Sequence, residues 1–138
     1  VEFHIKDKSS RDNYWEIDEF NEFIETVKDG QKYDIYEFCF YTGLRIGEFC
    51  ALQWKHIDLE NGTITVEQSL SAITSKITTP KTGNSYRTIK VPTRIIEKLK
   101  LKYEYVSRMR DFTNDWFIFN DKTYISIGTV RRLVLVYI

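Results

Sequence analysis

Tyr41-Thr42-Gly43-Leu44-Arg45-Ile46-Gly47-Glu48 sits where two apolar segments meet, and its reading decides how the rest of the chain folds. Gly43 is suited to end one helix with a left-handed residue, and Arg45 to Gln53 can form the next, with Ile46, Phe49 and Cys50 turned inward. An arginine in the first turn of a helix meets the partial positive charge of the helix N-terminus. An anion at that place reverses the balance, because free N–H groups and a guanidinium fork can converge on one phosphate. The competing structural reading pairs Arg45 with Glu48 along one helix face.

Upstream, Phe20, Phe23, Ile24 and Val27 follow helical spacing and predict an amphipathic helix ending near Gly30. A second helix, from about Tyr33 to Tyr41, is apolar on several faces and is expected to be buried. Downstream, 58–62 reads as a turn and Thr63-Ile64-Thr65-Val66-Glu67 as a half-buried strand. Ile73 and Ile77 predict a second strand and Tyr86 to Val91 a third, with 81–85 as the hairpin tip between those two. Thr93 can cap a long helix with the stripe Ile95, Ile96, Leu99, Tyr103 and Val106. Trp116 to Phe119 reads as a short extended stretch, and Ser126 or Thr129 can open a last helix. Helices, then a three-stranded antiparallel sheet, then helices make an α+β fold, mainly helical. Residues 1–13 read as a linker and 14–138 as one domain, with Trp15, Trp54 and Trp116 as core anchors.

Formal net charge is zero over 138 residues, which by itself argues against a nucleic-acid binder. The distribution differs: 1–30 holds nine acids and four bases, whereas 76–102 holds eight bases and only Glu97. A basic face of that kind can supply phosphate contacts, although a solvated lysine-rich surface has the same composition. No apolar run approaches the ~20 residues of a membrane span, and 1–10 does not read as a signal peptide. Cys39 and Cys50 read as buried reduced thiols, which together point to a cytoplasmic protein. His4 and His56 are the only histidines, and no Cys/His cluster has metal-ligand spacing. No phosphate-loop or dinucleotide fingerprint appears either, so no metal or cofactor is expected. His56 reads as a partly exposed structural imidazole.

Thr42-Gly43-Leu44-Arg45-Ile46-Gly47-Glu48 resembles the first catalytic-arginine motif of the tyrosine recombinases, the family of phage and transposon integrases. Tyr14-Trp15-Glu16-Ile17-Asp18-Glu19-Phe20 is similar to the segment that opens the catalytic domain there. Leu52-Gln53-Trp54-Lys55-His56-Ile57-Asp58-Leu59 resembles the continuation of the first motif. Thr79-Pro80-Lys81-Thr82-Gly83-Asn84-Ser85-Tyr86-Arg87 resembles the family's lysine hairpin. The resemblance implies strand exchange on double-stranded DNA attachment sites through a 3′-phosphotyrosyl intermediate, by a homo-tetramer of the full-length parent at the nucleoid. It implies Arg45 as the first phosphate-clamping arginine, Lys81 as the acid for the departing 5′-oxygen and Glu48 as active-site support. Arg87 would brace the hairpin or touch DNA, alongside Lys76 and Lys90 as DNA contacts.

The family's His-x-x-Arg motif is absent: neither histidine precedes an arginine by three positions, and Gly128 and Thr129 stand where it would precede Arg131 and Arg132. Tyr137 lies too early to be the nucleophile. The chain is therefore expected to be a truncated or excised part of a recombinase, inactive in cleavage by itself. A non-catalytic DNA-binding module or recombinase remnant is the alternative, and a protein-interaction domain using the acidic N-terminal helix a third.

Overall fold

The computed structural model describes residues 16–79 and 86–135, with the side chains of 134 and 135 left undescribed. The first helix, α1 (Ile17–Ile24), opens with Asp18 and Glu19 in its first turn, where acids favour the helix dipole. Glu19 also accepts the Glu16 N–H at 3.2 Å. Phe20, Phe23, Ile24 and Val27 are all buried, as their spacing requires. Phe20 stacks on Phe40 at 4.0 Å between ring centres, and Phe23 meets Tyr36 edge-on at 5.0 Å.

Gly30 does not terminate this helix. It is the first residue of α2 (Gly30–Thr42), whose cap is Asp29, with its carboxylate accepting the Lys32 N–H at 2.9 Å. The cap chemistry of Asp29 and the tolerance of an N-terminal turn for glycine outweigh the stop signal. Ile35, Tyr36, Glu37 and Phe38 are buried in succession, so the middle turn of α2 is enclosed, while Gln31 and Asp34 in its first turns stay exposed. Gly43 ends it at φ 65°, with its N–H bonded to the Cys39 carbonyl at 3.0 Å.

The following helix, α3 (Ile46–Cys50), is shorter than its periodicity suggests. Residues 51–54 turn away because their backbone finds partners elsewhere: the Leu52 carbonyl accepts from Ile118 N–H, and Trp54 N–H donates to the Trp116 carbonyl. The Trp116 to Phe119 stretch is thus a bridged turn, with Phe117 facing both Gln53 and Asp121. Trp54 and Trp116 are buried core residues, and Trp15 lies outside the described residues.

After a 3-10 turn at Trp54–His56 come β1 (Ile57–Asp58) and β2 (Thr63–Val66). Asp58 folds the link between them by accepting the N–H groups of Glu60 and Asn61 at 3.1 and 2.9 Å. Next are β3 (Ser69–Leu70), β4 (Ile77–Thr78) and β5 (Arg87–Lys90). The three-stranded antiparallel sheet has the order β1-β2-β5, with Ile64 opposite Ile89 and Val66 opposite Arg87. Its membership differs from the sequence-based expectation. The segment around Ile73 and Ile77 forms a separate two-stranded hairpin, β3-β4, with Ser69 opposite Thr78. Ile73 is 95% exposed in its turn, so its period-two match with Ile77 is coincidental. The tip expected at 81–85 lies outside the described residues.

Pro92 precedes α4 (Thr93–Val106), so Thr93 is its first helical residue rather than its cap. Ile95, Ile96, Leu99 and Val106 enter the main core with Phe38, Phe49 and Ile64. The last helix, α5 (Ile127–Leu135), is capped by Ser126, whose hydroxyl accepts the Thr129 N–H at 3.0 Å. Cys39 is half-buried and Cys50 buried, both unpaired; burial pushes their thiols up to about 12 and about 11, which keeps them protonated and unreactive. No helix among the described residues is long and apolar enough to cross a membrane.

Candidate phosphate-binding site

The left-handed turn at Gly43 and the buried Leu44 swing the chain so that Arg45 stands at the entrance to α3 with its side chain exposed. Glu48, one turn on and only 7% exposed, accepts the Arg45 backbone N–H at 2.9 Å. A guanidinium has no acceptor to return such a bond, so this is half of a capping box. Because α3 has only five residues, its dipole contributes little. The guanidinium itself must carry any affinity for an anion.

The Glu48 carboxylate makes no hydrogen bond to the Arg45 guanidinium, although the nearby Arg45 charge helps to lower its pKa. It is gripped by Arg87 from β5 through two bonds, Nη1 to Oε2 at 2.7 Å and Nη2 to Oε1 at 2.9 Å. This fork, with the Arg45 N–H adding to it and burial opposing, holds the Glu48 carboxyl below the usual carboxylate range. The same pairing raises the Arg87 guanidinium. The guanidinium of Arg45 has no acidic partner among the described residues. Two arginines against one carboxylate leave a net positive charge, placed at Arg45.

Arg45 and Glu48 line a cavity of about 170 Å³ together with Val66, Gln68, Ser69, Thr78 and Thr79. Gln68 is held in place by its amide, which donates to the Ala51 carbonyl at 2.8 Å and to Gln53 Oε1 at 2.9 Å. Gln68, Ser69 and Thr78 were not legible as site residues, since they reach the cavity only through the β3-β4 pairing. Lys81 follows Thr79 by two positions and lies outside the described residues.

Arg45, Glu48 and Arg87 are thus brought together, whereas Lys76 and Lys90 stand apart, exposed at the β3-β4 turn and the end of β5. The basic segment 76–102 is not one open face. Arg94 and Lys98 each bond Glu37 at 2.7 Å, and Glu37 is 1% exposed. The amine of Lys102 lies over the Phe119 ring at 4.6 Å, and burial lowers its pKa. Carboxylates from α2 and α3, distant in sequence, neutralise bases that look free in one dimension.

His56 is buried rather than partly exposed. Its Nδ1 accepts the Gln53 N–H at 3.0 Å, and Nε2 lies 3.0 Å from Glu67, with the approach off the N–H axis. Burial, opposed by Glu67, lowers its pKa. It does not line the cavity. Among the described residues no group of His, Cys, Asp or Glu is arranged to hold a metal ion.

The phage integrase family model matches residues 14–132. The chain is 37% identical over 92 residues to the prophage integrase IntR of Escherichia coli K12, covering 67% of this chain and 22% of that protein. It is 36% identical over 91 residues to the ICEBs1 integrase of Bacillus subtilis 168, covering 63% of this chain and 25% of that one. Among solved structures, the Tn1549 transposon integrase in complex with transposon right end DNA superposes with a TM-score of 0.67 at 24% identity, over 96% of this chain and 47% of that one. The XerA recombinase gives 0.60 at 24% identity, over 87% of this chain and 40% of that one. The chain thus spans about a quarter of the length of these curated relatives and under half of the solved chains. On the match of the family model, which takes in most of its length, this chain belongs to the phage integrase family.

Proposed function

We propose that this chain supplies the first-arginine part of the catalytic domain of a site-specific DNA recombinase, used in DNA integration through a 3′-phosphotyrosyl intermediate. One observation carries the reading: Arg45 is left without a carboxylate because Arg87 occupies Glu48. An arginine kept open beside a polar cavity is suited to a phosphate diester. The relatives are integrases, and the Tn1549 integrase was solved on transposon end DNA, which supports duplex DNA as the substrate.

In the reaction a tyrosine oxygen forms a bond to the scissile phosphorus as the bond to the 5′-oxygen breaks. Arg45 stabilises the charge that builds on the non-bridging oxygens, and Lys81 gives its proton to the departing 5′-oxygen. Glu48 fixes the Arg45 backbone, and Arg87 keeps Glu48 from cancelling the Arg45 charge. Lys76 and Lys90 contact DNA backbone. The acting assembly is a homo-tetramer on paired sites, working in the cytoplasm at the nucleoid.

The test is duplex binding by the chain and its Arg45→Ala variant across a salt series. Loss of affinity on Arg45→Ala supports the reading. Salt-dependent binding indifferent to Arg45→Ala would instead favour a non-catalytic DNA-binding module.

A further inference from the structure

Ser69 reaches the Arg45 cavity because position 47 carries no side chain. A Cβ on Gly47 would lie 2.5 Å from Ser69 Oγ and 2.6 Å from the Leu70 carbonyl oxygen, so α3 and β3 approach as closely as backbone allows. Ser69 is half-buried, locked by its pairing with Thr78 and by α3 behind it. Its hydroxyl, packed against Gly47, has no hydrogen-bond partner among the described residues, and Ser69 is one of the residues that line the cavity of Arg45. The cavity, about 170 Å³, has room for a phosphate group.

We propose that the Ser69 hydroxyl donates to the phosphate that Arg45 clamps, making Ser69 a further catalytic residue of the site. The proposal rests on the phosphate-clamping reading of Arg45. A serine hydroxyl rotates freely to point its proton at an acceptor, and a bond to a charged oxygen is stronger than one to water or a neutral group. Thr78, directly across the hairpin, also carries a hydroxyl but is exposed and lacks the fixed backing of α3. Gly47 and Ser69 thus form one device, the glycine admitting the hydroxyl to the anion.

The probe is inorganic phosphate, titrated into the full chain while the backbone amide resonances of the cavity-lining Glu48, Val66 and Gln68 are followed by NMR. Ser69→Ala should raise the dissociation constant about three- to tenfold, Thr65→Ala, on the exposed side of β2 and outside the cavity, should leave it within twofold, and Arg45→Ala should abolish saturable binding. A Ser69→Ala value within twofold of wild type, with Arg45→Ala still abolishing binding, overturns the role of Ser69 alone. No saturable binding by the wild type, or binding indifferent to Arg45→Ala, overturns the clamp and Ser69 with it. Should Ser69→Ala fail to fold, Ser69→Cys keeps the packing with a weak donor. Phosphate affinity equal to wild type in that variant would likewise overturn the proposal.

Discussion

Arg87 holds Glu48 across 39 positions of sequence through two bonds of 2.7 and 2.9 Å, joining the strand after the lysine segment to the helix that follows Arg45. Arg87→Ala leaves a 7% exposed carboxylate without its fork. Removing one partner of a buried pair costs 3–5 kcal/mol in general, and the partial exposure of Arg87 reduces this to about 1–3 kcal/mol. Urea unfolding of the variant should show that loss. Duplex binding should weaken as well, because the freed Glu48 turns its charge on Arg45; unchanged stability and affinity would contradict the bracing role.

Gly47→Ala should destabilise the chain by about 1–3 kcal/mol, the usual cost of overpacking, because the added Cβ would meet the Leu70 backbone carbonyl, which cannot rotate away. Gly30→Ala is the control: nothing lies within 4 Å of its added Cβ, and it sits at a helix start. A thermal melt comparing the two should separate them by several degrees.

Acid should weaken the fold in two windows. The folded His56 pKa lies below its unfolded value, so the unfolded chain binds the proton first. That contribution is fully present above about 6.5 and falls as pH drops towards the folded value. Glu48 is likewise depressed, so its contribution is present above about 4.3 and lost as pH falls through its folded value. His56→Gln should flatten the unfolding free energy just below about pH 6.5 while leaving the more acidic loss in place.

DNA binding should show a shallower salt dependence than the composition of 76–102 suggests. Eight phosphate contacts give a slope of about −7 in log K against log salt. Arg87, Arg94 and Lys98 are occupied by Glu48 and Glu37. With Arg45, Lys76, Lys81, Lys90 and Lys100 as the contacts, the slope becomes about −4 to −5. A measured slope near −7 would mean that DNA pulls those pairs apart.

In a protein that completes this chain with the family's second arginine motif and tyrosine, Arg45→Ala should slow covalent adduct formation about 10²–10³-fold. Lys81→Ala should slow it about 10²–10⁴-fold on an ordinary phosphate. A substrate with sulfur at the bridging 5′ position needs no proton to depart and should restore Lys81→Ala but not Arg45→Ala. Failure of that selective rescue would remove Lys81 as the acid.

The sequence by itself determined what neighbours within a few residues decide. The left-handed end at Gly43, the Asp58 turn, a last helix opening at Ser126 or Thr129, of which Ser126 is the cap, and the apolar stripe of α4 all depend on residues one to four positions apart. The family motif was legible in the same way, as a contiguous string around Arg45. Only the tertiary structure decided which bases are open, because Glu37 and Glu48 reach Arg94, Lys98 and Arg87 across 39 to 61 positions. Strand pairing was equally non-local: β2 takes β5 and the two-residue β1 as neighbours, leaving Ile73 in solvent at a turn. The burial of His56 and the approach of Ser69 to Gly47 belong to the same class. Hydrogen-bond register and charge pairing between distant segments exist only once the core has brought the segments together, and no period or spacing along the chain encodes them.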